Sequence, residues 1–151
     1  MKMLVCVDGS KQSMKAVEEA VKIAGGCSVT EVAIIYVCEK KFDWRYFPGE
    51  ESTITKEDLD RLREFVEQCD YDKNQKVLLE AKGVFTNNNI EAKTILKEGS
   101  PAQIIADVAN EEGYDMVVIG SRGLGGLKKL FLGSVSSAVT QDVKSNVLIV
   151  K

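Results

Sequence analysis

Histidine is absent from these 151 residues. Its absence removes every His-based catalytic triad, every imidazole general base and the common His-containing zinc sites. The four cysteines, Cys6, Cys27, Cys38 and Cys69, show no Cys-x-x-Cys spacing and outline no disulfide framework. Cys6 and Cys38 stand in apolar runs and read as buried thiols. Charge is balanced, with a net value of −3, so no broad basic face for nucleic acid or acidic lipid is expected. The first apolar run, Met3–Val7, is far too short for a signal peptide, and no run approaches membrane-span length. A cytoplasmic protein is the expectation. What is present is ordinary for one globular domain: 44% apolar and 28% charged residues, in a chain long enough to bury a core without disulfides or structural metal. Residues 1–151 are read as a single domain.

Apolar periodicity supplies the element order. Met3–Val7 reads as a buried strand that ends at Asp8-Gly9-Ser10. Ser10 can cap a helix in which Met14, Val17, Val21 and Ala24 recur, with Gly25-Gly26 as its stop. Val29–Val37 is a second buried strand. A polar loop follows, carrying Phe42, Trp44, Tyr46 and Phe47; it reads equally as a loop packed over a helix and as a lid or partner surface. A long helix is expected from Thr55, with Leu59, Leu62, Val66 and Cys69 on one face. A phase slip is expected near Asp70–Asn74, a resumption through Val77, Leu78, Ala81 and Val84, and a stop at Asn87–Asn89.

Ile90–Leu96 alternates Ile90, Ala92, Thr94 and Leu96 with Glu91 and Lys93, the pattern of a half-exposed edge strand. Ser100-Pro101-Ala102-Gln103 predicts a helix start, Ser100 capping and Gln103 closing a capping box, with Ile104, Ile105, Val108 and Ala109 inward and Gly113 as the stop. Met116–Ile119 is a buried strand opening into Gly120. A last helix is expected near Ser134, with Val135, Ala138 and Val139 inward. Val147–Val150 is the closing strand. Alternation of short apolar strands with helices predicts an α/β fold, a parallel sheet covered on both faces, with a ligand crevice at the carboxyl ends of the strands.

Of the two strand ends worth inspecting, Asp8-Gly9-Ser10 and Gly120–Ser136, the second is richer. Five glycines fall in the 14 residues from Gly120 to Gly133. Glycine lets backbone N–H groups approach an anion without an intervening Cβ. A helix starting at Ser134 adds free N–H groups and a dipole that favours phosphate. Ser134, Ser136 and Arg122 add side-chain donors. The stretch is not a Walker A loop, because no Gly-Lys-Ser/Thr closes it. It is not a dinucleotide fingerprint either, because Lys128 holds the third glycine position. Lys128 and Lys129 read as a solvated pair. The plain alternative is a glycine-rich connection ending in an ordinary helix cap.

The stretch resembles the signature of the universal stress protein family: Gly, two residues, Gly, nine residues, Gly, then Ser or Thr, here Gly120, Gly123, Gly133 and Ser134. Val-Asp-Gly-Ser at 7–10, Glu-Gly-Ser-Pro-Ala at 98–102, Asp-Met-Val-Val-Ile-Gly-Ser-Arg-Gly at 115–123 and Leu-Gly-Ser-Val-Ser at 132–136 also resemble the family. Only residues 39–86 fall outside the likeness. The resemblance implies a single-domain, Rossmann-like open sheet of five strands in the order 3-2-1-4-5, akin to the adenine nucleotide alpha hydrolases. It implies an adenine-nucleotide site of the ATP-binding branch. Asp8 would lie near base and ribose, with Gly9 and Ser10 lining the same crevice and Val37 packing on adenine. Gly120, Arg122, Gly123, Gly133, Ser134, Val135 and Ser136 would take the phosphates, which magnesium can bridge. Two departures stand out: Asn146 where the family often has Pro, and Tyr36 where it often has His.

In that strand order the closing strand Val147, Leu148, Ile149 and Val150 is an apolar edge, and a bare apolar edge invites pairing. A homodimer built on it is expected. The functional expectation is an ATP-, ADP- or AMP-binding sensor or regulatory module serving stress adaptation, with no catalytic residue and no protein metal site assigned and hydrolysis slow at most. Two rival readings are a slow ATP hydrolase or nucleotidyl transferase, and a dimeric interaction protein with a vestigial site. Against the transferase, Asp-Gly-Ser-Lys-Gln-Ser stands after the first strand, where adenylylating relatives of this fold carry Ser-Gly-Gly-x-Asp-Ser.

Overall fold

Runs of Val, Ile and Leu suit a pleated surface buried on both sides, and five such runs form the strands. They are β1 (Lys2–Val7), β2 (Glu31–Cys38), β3 (Lys93–Glu98), β4 (Met116–Gly120) and β5 (Asn146–Val150). The computed structural model describes residues 1–39, 55–124 and 132–151. The helices in these segments are α1 (Lys11–Gly26), α2 (Lys56–Thr86), α3 (Pro101–Glu111) and α4 (Ser134–Asp142). The aromatic cluster Phe42, Trp44, Tyr46 and Phe47 lies outside the described residues, as do Lys128 and Lys129 and the side chains of Leu59, Val66 and Cys69.

All four strand pairings are parallel, and the order is β3-β2-β1-β4-β5, as expected. In register, Val7 lies beside Tyr36, Val5 beside Val118, and Val118 beside Leu148. Alternation along β1 sends Met3, Val5 and Val7 to one core with Ala16, Val17, Leu78 and Phe85 of α1 and α2. Leu4 and Cys6 go to a second core with Ile105, Val108 and Val139 of α3 and α4. The sheet is therefore covered on both faces, and β1, its central strand, is buried from Met3 to Val7.

Local chemistry explains most helix ends. The Ser10 hydroxyl accepts from the Ser13 N–H at 3.1 Å and caps α1, as the sequence indicates. At α3, Ser100 is the cap residue and Pro101 supplies a preset φ, but the expected capping box does not form. Ser100 makes no side-chain cap bond, and the Gln103 amide donates instead to Asp107 Oδ1 at 2.8 Å, one turn along the helix. Glycine 113 stops α3 with φ at +68°.

Two sequence expectations need correction. The phase slip near Asp70–Asn74 does not interrupt the helix, and α2 runs unbroken for 31 residues. The apolar phase slips because a polar residue, Asn74, takes a core-facing position ahead of Leu78, Ala81 and Phe85, all buried. Phe85, fully buried, was missing from the expected face, and Leu62 is exposed. The edge strand starts at Lys93, not Ile90, and its inward set differs: Thr94 is exposed, while Ile95 and Leu96 pack on opposite cores. A doubly covered sheet gives its edge two apolar neighbours in sequence, which simple alternation does not describe.

Gly120 ends β4 against the first turn of α1. A Cβ there would lie 2.8 Å from the Gln12 carbonyl carbon and 3.0 Å from the Ser13 nitrogen, both immovable backbone. Gly120→Ala is expected to push α1 from the sheet and cost about 1–3 kcal/mol, the range of overpacking. Phe85→Ala, which opens a cavity, is expected to cost about 3–5 kcal/mol. Urea unfolding of both variants checks this; a Gly120→Ala protein as stable as wild type would refute the packing role.

Candidate functional site

The chain leaves β1 toward β2 on one side, while β4 lies on the other. Their following loops separate, and a crevice at the carboxyl edge results. Four of the expected site residues meet there. Asp8 ends β1, with one carboxylate oxygen accepting from the Ser10 N–H at 2.9 Å and the other from the Leu124 N–H at 3.2 Å. The carboxylate thus ties the loop after β1 to the loop after β4. Gly123 lies directly beneath it: a Cβ on Gly123 would collide with Asp8 Oδ2. Ser10 Oγ lies 3.5 Å from the Arg122 carbonyl oxygen across the same gap.

Gly9 meets two demands at once. Its φ is +81°, a left-handed conformation that favours glycine, and a Cβ there would be 3.1 Å from Val77 of α2. Helix α2 therefore forms one wall of the crevice, a role the sequence did not disclose.

The glycine loop is closed at its base. Ser121 donates to the Val150 carbonyl at 2.6 Å, and Gly133 donates to the Ser121 carbonyl at 2.9 Å. Gly133 is also the residue preceding α4, and a Cβ there would press Ser121 O and Ser136 Oγ at 3.3 Å. The Ser136 hydroxyl, expected as a phosphate donor, is buried and directed at the Gly133 and Ser121 carbonyls at 3.0 and 3.3 Å. It braces the loop, so Ser136 has only its amide to offer an anion. Ser134 is exposed and Val135 half-buried. No side-chain cap occupies the start of α4, so the Ser134, Val135 and Ser136 amides head a helix whose dipole favours negative charge.

Gly120 stands behind the loop, against α1, where its lack of a side chain serves packing. Val37 lies near the end of β2, half-buried on the α3 and α4 side of the sheet. Gly125 and Gly126 lie outside the described residues.

Asp8 is felt at two neighbouring groups. Burial pushes the Cys6 thiol far above its usual range, and Asp8 two residues on adds to the effect. The Tyr36 hydroxyl is also raised, chiefly by burial, then by Cys38, Asp8 and Asp70. Cys6 is therefore a neutral core thiol with no nucleophilic character. Among the described residues no group of three His, Cys, Asp or Glu side chains could hold a metal, and none of the helices crosses a membrane by length and apolarity.

What the crevice offers is a carboxylate suited to hydroxyl and amino donors, flanked by glycine backbone and a helix N-terminus suited to phosphate. Known proteins share this architecture. The profile described as universal stress protein family matches residues 1–151. Universal stress protein YxiE of Bacillus subtilis is 34% identical over 99% of this chain and 98% of its own. Universal stress protein UspA from Lactobacillus plantarum superimposes with a TM-score of 0.81 at 22% identity, covering 100% of this chain and 97% of that one. A universal stress protein crystallised in complex with cAMP superimposes with a TM-score of 0.67 at 24% identity, covering 100% and 96%. With its whole length matched by that profile and its sheet in the corresponding order, the chain belongs to the universal stress protein family.

Proposed function

We propose that this protein binds an adenine nucleotide, with ATP as the leading ligand, at the mouth between β1 and β4, and acts as a dimeric, cytoplasmic sensor or regulatory module in stress adaptation. The observation that carries the reading is the Asp8 carboxylate, held across the two loops directly over the Gly123 backbone. An acceptor-only group at that point suits ribose hydroxyls. The bare backbone at Gly123 and Gly133 and the first amides of α4 suit the phosphates, with Arg122 and the Ser134 hydroxyl as further donors. Val37 supplies an apolar surface for the base. Gly9 and Ser10 shape the near wall. The cAMP complex of a relative with this fold supports an adenine ligand.

Ligand entry would replace one set of bonds by another. Asp8 gives up the Leu124 amide for a sugar hydroxyl, and the Leu124 amide becomes free to meet a phosphate oxygen. Magnesium would be carried mainly by the phosphates and water, with Asp8 as a carboxylate at hand. Its service there is charge neutralisation. Turnover is expected to be slow, because no His exists to act as a general base.

The dimer would form on β5. Its outer edge has no strand partner among the described residues, and Val147, Leu148, Ile149 and Val150 bring no charge to guard it.

Protein purified without added nucleotide, then denatured, is expected to release an adenine nucleotide identifiable by mass spectrometry. Gly123→Val drives a branched Cβ into Asp8, and calorimetric titration with ATP and magnesium should show affinity lowered by at least about tenfold. An empty protein that gives no heat with ATP would overturn the reading. Separately, sedimentation velocity at high micromolar concentration is expected to show a dimer; a lone monomer peak would remove the β5 interface.

A further inference from the structure

Helix α2 is longer than the body it packs on. Its buried side chains, Asn74, Leu78, Ala81 and Phe85, all fall in its second half, and Val77 reaches Gly9 just past the carboxyl end of β1. Every described side chain from residue 56 to residue 73 is exposed. The first half of the helix therefore projects beyond the carboxyl edge of the sheet, by roughly 27 Å. Helices in proteins owe most of their stability to the packing of one face, and this stretch buries none of its described side chains.

The sequence shows which face lacks a partner. Leu59, Leu62, Val66 and Cys69 are spaced three, four and three residues apart, two heptads of a coiled-coil seam. Lys73 and Lys76 take the next two seam positions, so the seam stops where the helix meets the body. Leu62 is the seam member whose side chain is described, and it is 45% exposed.

We propose that this projection pairs antiparallel with the same helix of a second copy. A two-fold axis sets Leu59 level with the partner's Cys69, and Leu62 level with the partner's Val66, and by symmetry the reverse. In that register the tip at Lys56 lies level with the partner's Asp72, two residues short of the point where α2 becomes buried at Asn74. The overlap thus ends where each body begins. Charge complementarity selects this direction. Lys56 and Asp70, both exposed, meet across the seam twice. Asp70 and Asp72 also stand beside the other helix's N-terminus, whose dipole favours acid. A parallel pair would set Lys56 level with Lys56 and Asp70 level with Asp70. Near the axis Arg63 meets its own mate, but within each helix its charge is already matched by Glu67 at 2.9 Å. Four seam layers make a small contact, and such contacts are weak and concentration-dependent. The proposal stands apart from the nucleotide site and from pairing through β5.

Sedimentation velocity and amide hydrogen exchange, run from low to high micromolar concentration, test it on wild type, Leu62→Glu, Lys56→Asp, Asp70→Lys and the double reversal. All three positions are exposed, and circular dichroism verifies the fold of each variant. At high concentration wild type is expected to form a species at least twice the mass of that formed by Leu62→Glu. The amides of residues 57–73 are expected to gain protection only as that species forms. Either single reversal is expected to weaken association at least about fivefold, and the double reversal to restore it to within about twofold. Identical masses for wild type and Leu62→Glu at every concentration would overturn the proposal. So would protection of residues 57–73 that is the same at every concentration, because the seam would then be covered within one chain. Weakening by the single reversals with no recovery in the double would overturn the antiparallel arrangement.

Discussion

The reversal of winding between β1 and β4 is the constraint on which the rest depends. Both strands are parallel and adjacent, so both finish at the same edge of the sheet. One chain continues toward β2 and the other toward β5, and neither helix that follows can cover the gap between them. Backbone groups at that gap need partners from outside the regular ladders. Asp8 supplies them, taking one amide from each side. Its carboxylate holds the two loops together and at the same time presents acceptor chemistry at the mouth of the crevice.

Close approach then fixes residue type. Gly9, Gly120, Gly123 and Gly133 lack room for a Cβ for four separate reasons: the α2 wall, the first turn of α1, the Asp8 carboxylate, and the brace of Ser121 and Ser136. A motif that reads in sequence as one phosphate loop is, in space, a division of labour. Gly120 secures the helix-to-sheet packing that places β4. Gly133 and Ser136 secure the base of the loop. Gly123 brings bare backbone beneath the carboxylate. The uncapped amides at the head of α4 are presented because these other positions keep the loop shut behind them.

The α2 helix shows how one polar residue can shift an apolar stripe without ending the helix. Asn74 interrupts the apolar stripe, so the sequence shows a slip of helical phase. No break follows, because a helix propagates through Asn at small cost when the following turns bury Leu78, Ala81 and Phe85.

Sequence alone determined the element order, the α/β class and the two strand ends that matter, because short apolar runs, helix spacing and glycine punctuation are local signals. Resemblance carried the strand order and the family. Asp8, Gly123 and Gly133 were legible as candidates for the same reason: a carboxylate or a glycine at a strand end is visible in one dimension. Tertiary structure alone decided what each one touches. That Gly120 serves α1, that the Ser136 hydroxyl turns inward, that the capping box at Ser100 gives way to a Gln103–Asp107 pair, and that Val77 of α2 packs on Gly9 are all consequences of contacts between residues far apart in the chain or of competition among partners. Periodicity records which way a side chain faces; it holds no record of what stands opposite, and steric fit and hydrogen-bond satisfaction are settled only there.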